Sequence, residues 1–312
     1  MDTQTLLRKI TALPVIAAGL AEDLLAGDFR SIFKGQGIEF DEARHYQAGD
    51  DVRSIDWNAS ARFGTPYVKM YREERELTIM ILLDISASMH RGSFIPGGTG
   101  GADDEDLSPY EQGLIAAALI AFSAERTGQR VGAFFFDSDV VRVFPPKKGR
   151  RHVMSIICGA LQYQNFRTDT RKNREHGSNI TKALAAAGRL LKRRSLVALI
   201  SDFYSSNWEQ QMGNLNRKHD VIALRISDPA EKDLTDMGLI TIEDPETNIR
   251  IEAPTGLDSF KEEWTRWHLE RSGFWDGQCR RCASAHLELS TASDAVSALL
   301  KFFGSRRIRE HS

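Results

Sequence analysis

The run Ile79-Met80-Ile81-Leu82-Leu83 is continuously apolar and ends at Asp84, with Ser86 and Ser88 following at alternate positions. An unbroken apolar run of this length, bounded by polar residues, predicts a strand buried on both faces, as in parallel sheets covered by helices. In open α/β sheets, ligands collect beyond the carboxyl ends of such strands. Asp84-x-Ser86-x-Ser88 therefore falls where a site would form. One carboxylate and two hydroxyls offer only hard oxygen donors, which suit Mg²⁺, Mn²⁺ or Ca²⁺ rather than zinc. Asp and Ser also serve as turn and helix-cap residues, so the triplet alone admits both a cation site and the plain start of a loop.

The same pattern recurs downstream. Residues 131–136 form a second apolar run ending at Asp137, residues 140–144 an edge strand closed by Pro145-Pro146, and Leu196-Val197-Ala198-Leu199-Ile200-Ser201 a further run ending at Asp202. Helical spacing over 110–127, 151–163, 182–192 and 208–217 separates these runs, with Cys158 read as a core residue. The last strand of the alternation covers 220–226. Alternating strands and helices predict an α/β fold, with a central, mostly parallel sheet and helices on both faces. Asp84 and Asp202 then end strands on one edge of the sheet, with the turn Gly177-Ser178-Asn179-Ile180-Thr181 between them in sequence. That convergence favours the cation reading, although Ser178 or Thr181 serves equally well as the cap of the following helix.

A formal net charge of −2 over 312 residues gives no global pull toward nucleic acid or an anionic membrane. No apolar run reaches the length needed to span a bilayer, no signal peptide is evident, and three cysteines give no disulfide framework. The expectation is a cytoplasmic chain with no integral membrane segment. Residues 1–75 read as an N-terminal segment and 76–312 as the α/β domain. In the former, 4–27 have helical spacing with a break at Pro14. Acids Glu39, Asp50, Asp51 and Asp56 then alternate with Arg44, Arg53 and Arg62, predicting an ion-pair scaffold around Trp57. Residues 92–109 are rich in glycine and acid and read as a surface loop. A hairpin is expected over about 238–252, then a long helix over 258–282 packing through Phe260, Trp264, Trp267, Leu269 and Phe274. A strand over 286–289 and a closing helix over 295–303 complete the chain. Cys279-x-x-Cys282 with His286 lacks the second ligand pair that zinc sites need.

Two resemblances rest on these residues. Asp84-x-Ser86-x-Ser88, the Gly177-Ser178-Asn179 turn and Asp202 resemble the metal-ion-dependent adhesion site of von Willebrand factor A domains, with Ser178 where that family usually has threonine. Gly35-x-Gly37-x-Glu39-Phe40, Arg44-x-Tyr46, Gly49-Asp50-Asp51-x-Arg53-x-Ile55-Asp56-Trp57 and Ala61-Arg62 resemble the signature of the bacterial family named domain of unknown function 58. Members of that family join such a segment to a von Willebrand A-like domain. The first resemblance implies a Rossmann-like von Willebrand A domain whose metal residues are Asp84, Ser86, Ser88, Ser178 and Asp202. The three serine hydroxyls would touch the ion, and the two aspartates would act through bound water. The second implies partnership with MoxR-type AAA+ ATPases in complex assembly or metal-cofactor insertion.

The function expected is thus a non-enzymatic, cation-dependent protein-binding module whose partner supplies an Asp or Glu to the metal. The alternatives are a Mg²⁺-dependent phosphohydrolase using Asp84 as nucleophile, and a scaffold with an empty site. Phosphohydrolase chemistry usually wants a second acid two residues on, where this chain has Ser86.

Overall fold

The computed structural model describes residues 3–26, 38–47, 50–73, 77–90, 107–163, 177–243 and 249–309. Backbone proximity divides the chain into a small unit, Leu25–Glu76, and a larger one made of Met1–Leu24 and Leu77–Ser312.

Helix α1 (Thr3–Ala26), all but its last two residues in the larger unit, runs through Pro14 without a break. A proline inside a helix forgoes one backbone hydrogen bond and costs about 3 kcal/mol. Leu6, Ile10 and Leu13, one helical stripe, are buried, and each such side chain contributes about 1.5–3 kcal/mol. Burial of the stripe outweighs the proline, which is why the predicted break is absent.

In the small unit, β1 (Ile38–His45) pairs antiparallel with β2 (Tyr67–Glu73), with a bulge between Phe40 and Glu42. Helix α2 (Trp57–Phe63) lies between them in sequence. The Asp56 carboxylate caps it by accepting from the Asn58 and Ala59 amides, and Gly64 ends it at φ 71°. Arg44 and Asp50 form a two-pronged ion pair at 2.9 and 2.6 Å. The predicted centre of the scaffold is corrected: Trp57 is 70% exposed, so the described charges do not enclose it. The Gly35-Gln36-Gly37 stretch and most of 92–109 lie outside the described residues.

The larger unit is built on a six-stranded sheet in the order β10-β7-β6-β3-β4-β5. Its strands are β3 (Thr78–Asp84), β4 (Arg130–Phe136), β5 (Val140–Lys147), β6 (Leu196–Ser201), β7 (Asp220–Ser227) and β10 (Ala285–Ser290). All neighbours are parallel except β4 and β5, so the fold is mixed α/β with a mostly parallel, Rossmann-like sheet. The apolar runs of β3 and β6 are buried on both faces, as expected for central parallel strands.

Helix α3 (Pro109–Arg126), opened by a Ser108–Glu111 capping box, contacts β3, β4, β6 and β7 and is buried almost throughout. Helix α4 (Arg150–Leu161) packs beside α3 and exposes Cys158, correcting its assignment to the core. On the other face lie α5 (Ile180–Leu190), α6 (Glu209–Asn216) and part of α7 (Asp258–Arg281), the next helix after the hairpin. Met80, Leu82, Val197, Leu199, Ile180, Leu184, Met212 and Trp275 share one core there. Strand side chains alternate between faces, so Asp84 and Ser201 point to the same side as Met80, Leu82, Val197 and Leu199.

The hairpin is present as β8 (Leu239–Glu243) and β9 (Arg250–Pro254). Helix α7 buries His268, Trp275 and Cys279, whereas Trp267, Leu269 and Phe274 are about half exposed, so three of its predicted packing residues lie outside the core. Helix α8 (Ala295–Arg309) ends the described chain.

Gly132 shows how closely the edge is packed. A Cβ there would lie 2.9 Å from the Phe144 carbonyl oxygen and 2.8 Å from Met80 Cε, at the point where the β4–β5 register shifts. Gly132→Ala is expected to lower the urea midpoint, by about 1–3 kcal/mol of stability. An unchanged midpoint would contradict this pairing of β4 with β5.

Candidate metal centre

Parallel pairing sets Leu83 level with Ile200, so Asp84 and Ser201 end adjacent strands side by side. Asp84 is fully buried and its carboxylate gathers three chain segments. Oδ1 accepts from the Ser86 amide at 2.9 Å, while Oδ2 accepts from the hydroxyls of Ser178 and Ser201, each at 2.6 Å. The two hydroxyl bonds are short, at the lengths typical of O–H donors on a carboxyl oxygen. The Ser86 and Ser88 hydroxyls lie 3.0 Å apart, with Ser88 in the 3₁₀ turn Ala87–His90.

The turn carrying Ser178 is pinned from two sides. The Asn179 amide donates to the Asp137 carbonyl at the end of β4, and the Asn179 side chain caps α5 through the Lys182 amide. Thr181 turns elsewhere, donating to the Asn207 carbonyl at 3.0 Å. Of the two hydroxyls the sequence leaves open, Ser178 is the one brought against Asp84.

Asp202 follows β6 and is buried, with Oδ1 accepting from the Tyr204 amide at 3.1 Å. Phe203, between them, has φ 57°, an uncommon conformation for a bulky side chain. Arg271 from α7 donates to the Phe203 carbonyl at 2.9 Å and stacks 3.9 Å over the Tyr204 ring.

Burial pushes the Asp84 carboxyl up to about 7, and the nearby charge of Asp202 adds to the rise, against the hydrogen bonds from Ser178, Ser201 and Ser86. Two buried acids close enough to act on each other repel, and a shared positive charge would relieve that repulsion.

The donors fit a small hard ion. All are oxygens, and Mg²⁺–oxygen distances of about 2.0–2.1 Å put neighbouring octahedral ligands about 2.9 Å apart, close to the Ser86–Ser88 separation of 3.0 Å. Among the described residues, no group of three or more His, Cys, Asp or Glu side chains is placed to hold a metal, so the fit rests on hydroxyls. Cys279 is buried with its thiol pushed up to about 12 by burial, Cys282 donates to the Glu209 carbonyl, and His286 pairs with Asp276 at 2.8 Å.

Two features escaped the sequence reading. Ser201 reads as the last residue of a strand, and only its parity with Val197 and Leu199 hints that it faces Asp84. Arg225 of β7, in register with Ser201, is buried against Glu231 at 2.6 Å and Glu288 at 3.1 Å. Burial would raise Glu288, but the Lys232 hydrogen bond and the Arg225 charge outweigh it and hold the carboxyl near about 2. This ion cluster ties β7 to β10 and to the segment after β7.

The fold and the site together define a mixed α/β protein with a hydroxyl-and-carboxylate centre at the C-terminal edge of its sheet. The family model described as "Protein of unknown function DUF58" matches residues 42–272, and the chain belongs to that family. Uncharacterized proteins of Mycobacterium tuberculosis (Rv1480) and Mycobacterium bovis (Mb1516) are each 27% identical over 309 residues, covering 98% of this chain and 92% of the relative. Among solved structures, the PilB minor pilin from Streptococcus sanguinis aligns at 8% identity and TM-score 0.39 over 79% of this chain and 64% of its own. The mussel byssus proximal thread matrix protein 1 aligns at 17% identity and TM-score 0.33 over 49% of this chain and 38% of its own. Likenesses this distant carry no weight for fold or function. Among the described residues, no helix is long and apolar enough to cross a membrane.

The Asp84 geometry sets a pH dependence. With chelator present, the folded chain keeps a proton on Asp84 up to about pH 7, whereas an unfolded Asp releases it near about 3.9. The stability tied to this proton is therefore complete below the unfolded value and is lost as pH rises toward 7. Urea midpoints in EDTA should fall between pH 5 and pH 8, and Asp84→Asn should flatten that fall. An equal fall in wild type and variant would contradict the assignment.

Proposed function

We propose that this centre is a metal-ion-dependent adhesion site in a von Willebrand A-type domain, and that the protein is a cation-dependent protein-binding module rather than an enzyme. The observation that carries the reading is the meeting of three chain segments on the Asp84 carboxylate, through the Ser86 amide and the Ser178 and Ser201 hydroxyls. The Ser86 and Ser88 hydroxyls lie 3.0 Å apart, and the charge of Asp202 is near enough to act on Asp84. Ser86, Ser88 and Ser178 would hold Mg²⁺ (or Mn²⁺ or Ca²⁺) directly, with Asp84 and Asp202 acting through bound water. The bound ion supplies an open coordination position that attracts a carboxylate, because hydroxyl ligands leave its charge under-compensated. A hydroxyl can give a lone pair to a cation while its hydrogen stays on a carboxylate, so Ser178 can hold the ion without leaving Asp84. The partner supplies an Asp or Glu side chain.

The partner class we propose is the one the family resemblance implies, a MoxR-type AAA+ ATPase, with the present chain acting as adaptor or co-chaperone in complex assembly or metal-cofactor insertion, in the cytoplasm. A phosphohydrolase reading is disfavoured by Asp84 itself. Its carboxylate is fully buried and both oxygens already accept hydrogen bonds, which leaves a poor nucleophile.

Mg²⁺ or Mn²⁺ should raise the melting temperature of the purified protein, with about 2.7 kcal/mol of stabilisation at a hundredfold excess over Kd. Ser86→Ala combined with Ser88→Ala should abolish that gain. Capture of a MoxR-type ATPase encoded in the same genome should require the cation and be lost in EDTA. Mg²⁺-dependent phosphatase turnover that Asp84→Asn removes, without cation-dependent capture, would overturn the reading.

A further inference from the structure

We infer that Ser201, which is outside the proposed ligand set, is the positioning residue that preforms the cation cradle by locking the Asp84 carboxylate to the turn that carries Asp202. The inference rests on the cation-site reading above and assigns a role to a residue which that reading leaves idle.

Ser201 is fully buried at the end of β6, on a face whose preceding members, Val197 and Leu199, are apolar core residues. A hydroxyl there would be costly without partners. Both of its capacities are used. The single hydroxyl hydrogen goes to Asp84 Oδ2 at 2.6 Å, and the oxygen accepts the Phe203 amide at 3.0 Å. The first bond crosses from β6 to the end of β3. The second reaches the residue in left-handed conformation (φ 57°) directly after Asp202. One side chain thus fixes the rotamer of one acid and the backbone turn presenting the other.

Ser178 donates to the same Oδ2 from a different loop, also at 2.6 Å. With Ser201 in place, Oδ2 is held in the direction that the Ser178 hydroxyl meets. Without it, Asp84 can rotate and the Ser178 hydroxyl loses its fixed direction. Groups that orient the immediate ligands of a metal, as Ser201 orients Ser178 through Asp84, typically change metal affinity by about 10- to 100-fold when removed.

The test is Mn²⁺ binding to the full chain, read by calorimetry and by the electron paramagnetic resonance of free Mn²⁺, beside the melting temperature in EDTA. Ser201→Ala is expected to weaken Mn²⁺ by about 10- to 100-fold, while Ser201→Thr, which keeps the hydroxyl, restores wild-type affinity. A merely structural role would instead move the melting temperature in EDTA and leave affinity intact. Should Ser201→Ala fail to fold, Ser201→Cys carries the test, since it keeps similar volume with a weak donor and should bind as poorly as expected for alanine. Equal Mn²⁺ affinity in wild type and Ser201→Ala (or Cys), or equal losses in the Thr and Ala variants, overturns the role of Ser201 and leaves the cation site standing. A wild-type chain that takes no Mn²⁺ sinks the cation site itself and this inference with it.

Discussion

The Asp84 carboxylate is the point on which the sheet edge depends. It sits at the end of a central strand, out of contact with water, where an ionised acid is expensive. Three hydrogen bonds, from the Ser86 amide and the Ser178 and Ser201 hydroxyls, compensate it, and each comes from a different stretch of chain. Burial and the neighbouring Asp202 still push its pKa up to about 7. The protein therefore holds a partly compensated buried charge at the place where α/β sheets present their ligands. An arrangement of this kind is costly unless something positive shares it.

The surroundings keep that arrangement in register. Parallel pairing of β3 with β6 fixes Asp84 beside Ser201, and the Asn179 amide bound at the end of β4 brings in the Ser178 turn. Beyond β6, the buried Arg225–Glu231–Glu288 cluster ties β7 and β10 to the segment after β7. Arg271, stacked on Tyr204 and bound to the Phe203 carbonyl, adds a positive charge close to Asp202. Geometry at the site is thus set by backbone register and by packed charge pairs rather than by a free loop.

Much of this could be read from the sequence, and the limits have physical causes. Apolar runs at 79–83 and 196–200 point to doubly buried strands because a strand with one face in water usually alternates apolar and polar residues. Their terminal aspartates mark the site edge because ligands of α/β sheets collect beyond the carboxyl ends of the strands. What the pattern does not carry is register. Ser201 becomes meaningful only once β6 is laid beside β3 in parallel, which makes its side chain share a face with Asp84. Tertiary context overrode local signals elsewhere. Pro14 is absorbed into α1 by the buried stripe Leu6, Ile10 and Leu13, and α7 buries His268 and Trp275 while leaving Trp267 and Phe274 half exposed. Cys158 is exposed although it sits in a helix with an apolar face, because it lies on the outer side. Among the alternating charges near Trp57, Arg44 pairs with Asp50 and Asp56 caps a helix, with the indole left outward.

The most direct measurement is the anomalous difference density of crystals grown with Mn²⁺. One strong peak within coordination distance of the Ser86, Ser88 and Ser178 hydroxyls, with Asp84 and Asp202 one water further out, is the predicted result. Ordered protein with no peak there, or with manganese bound only at surface acids, would contradict the central claim.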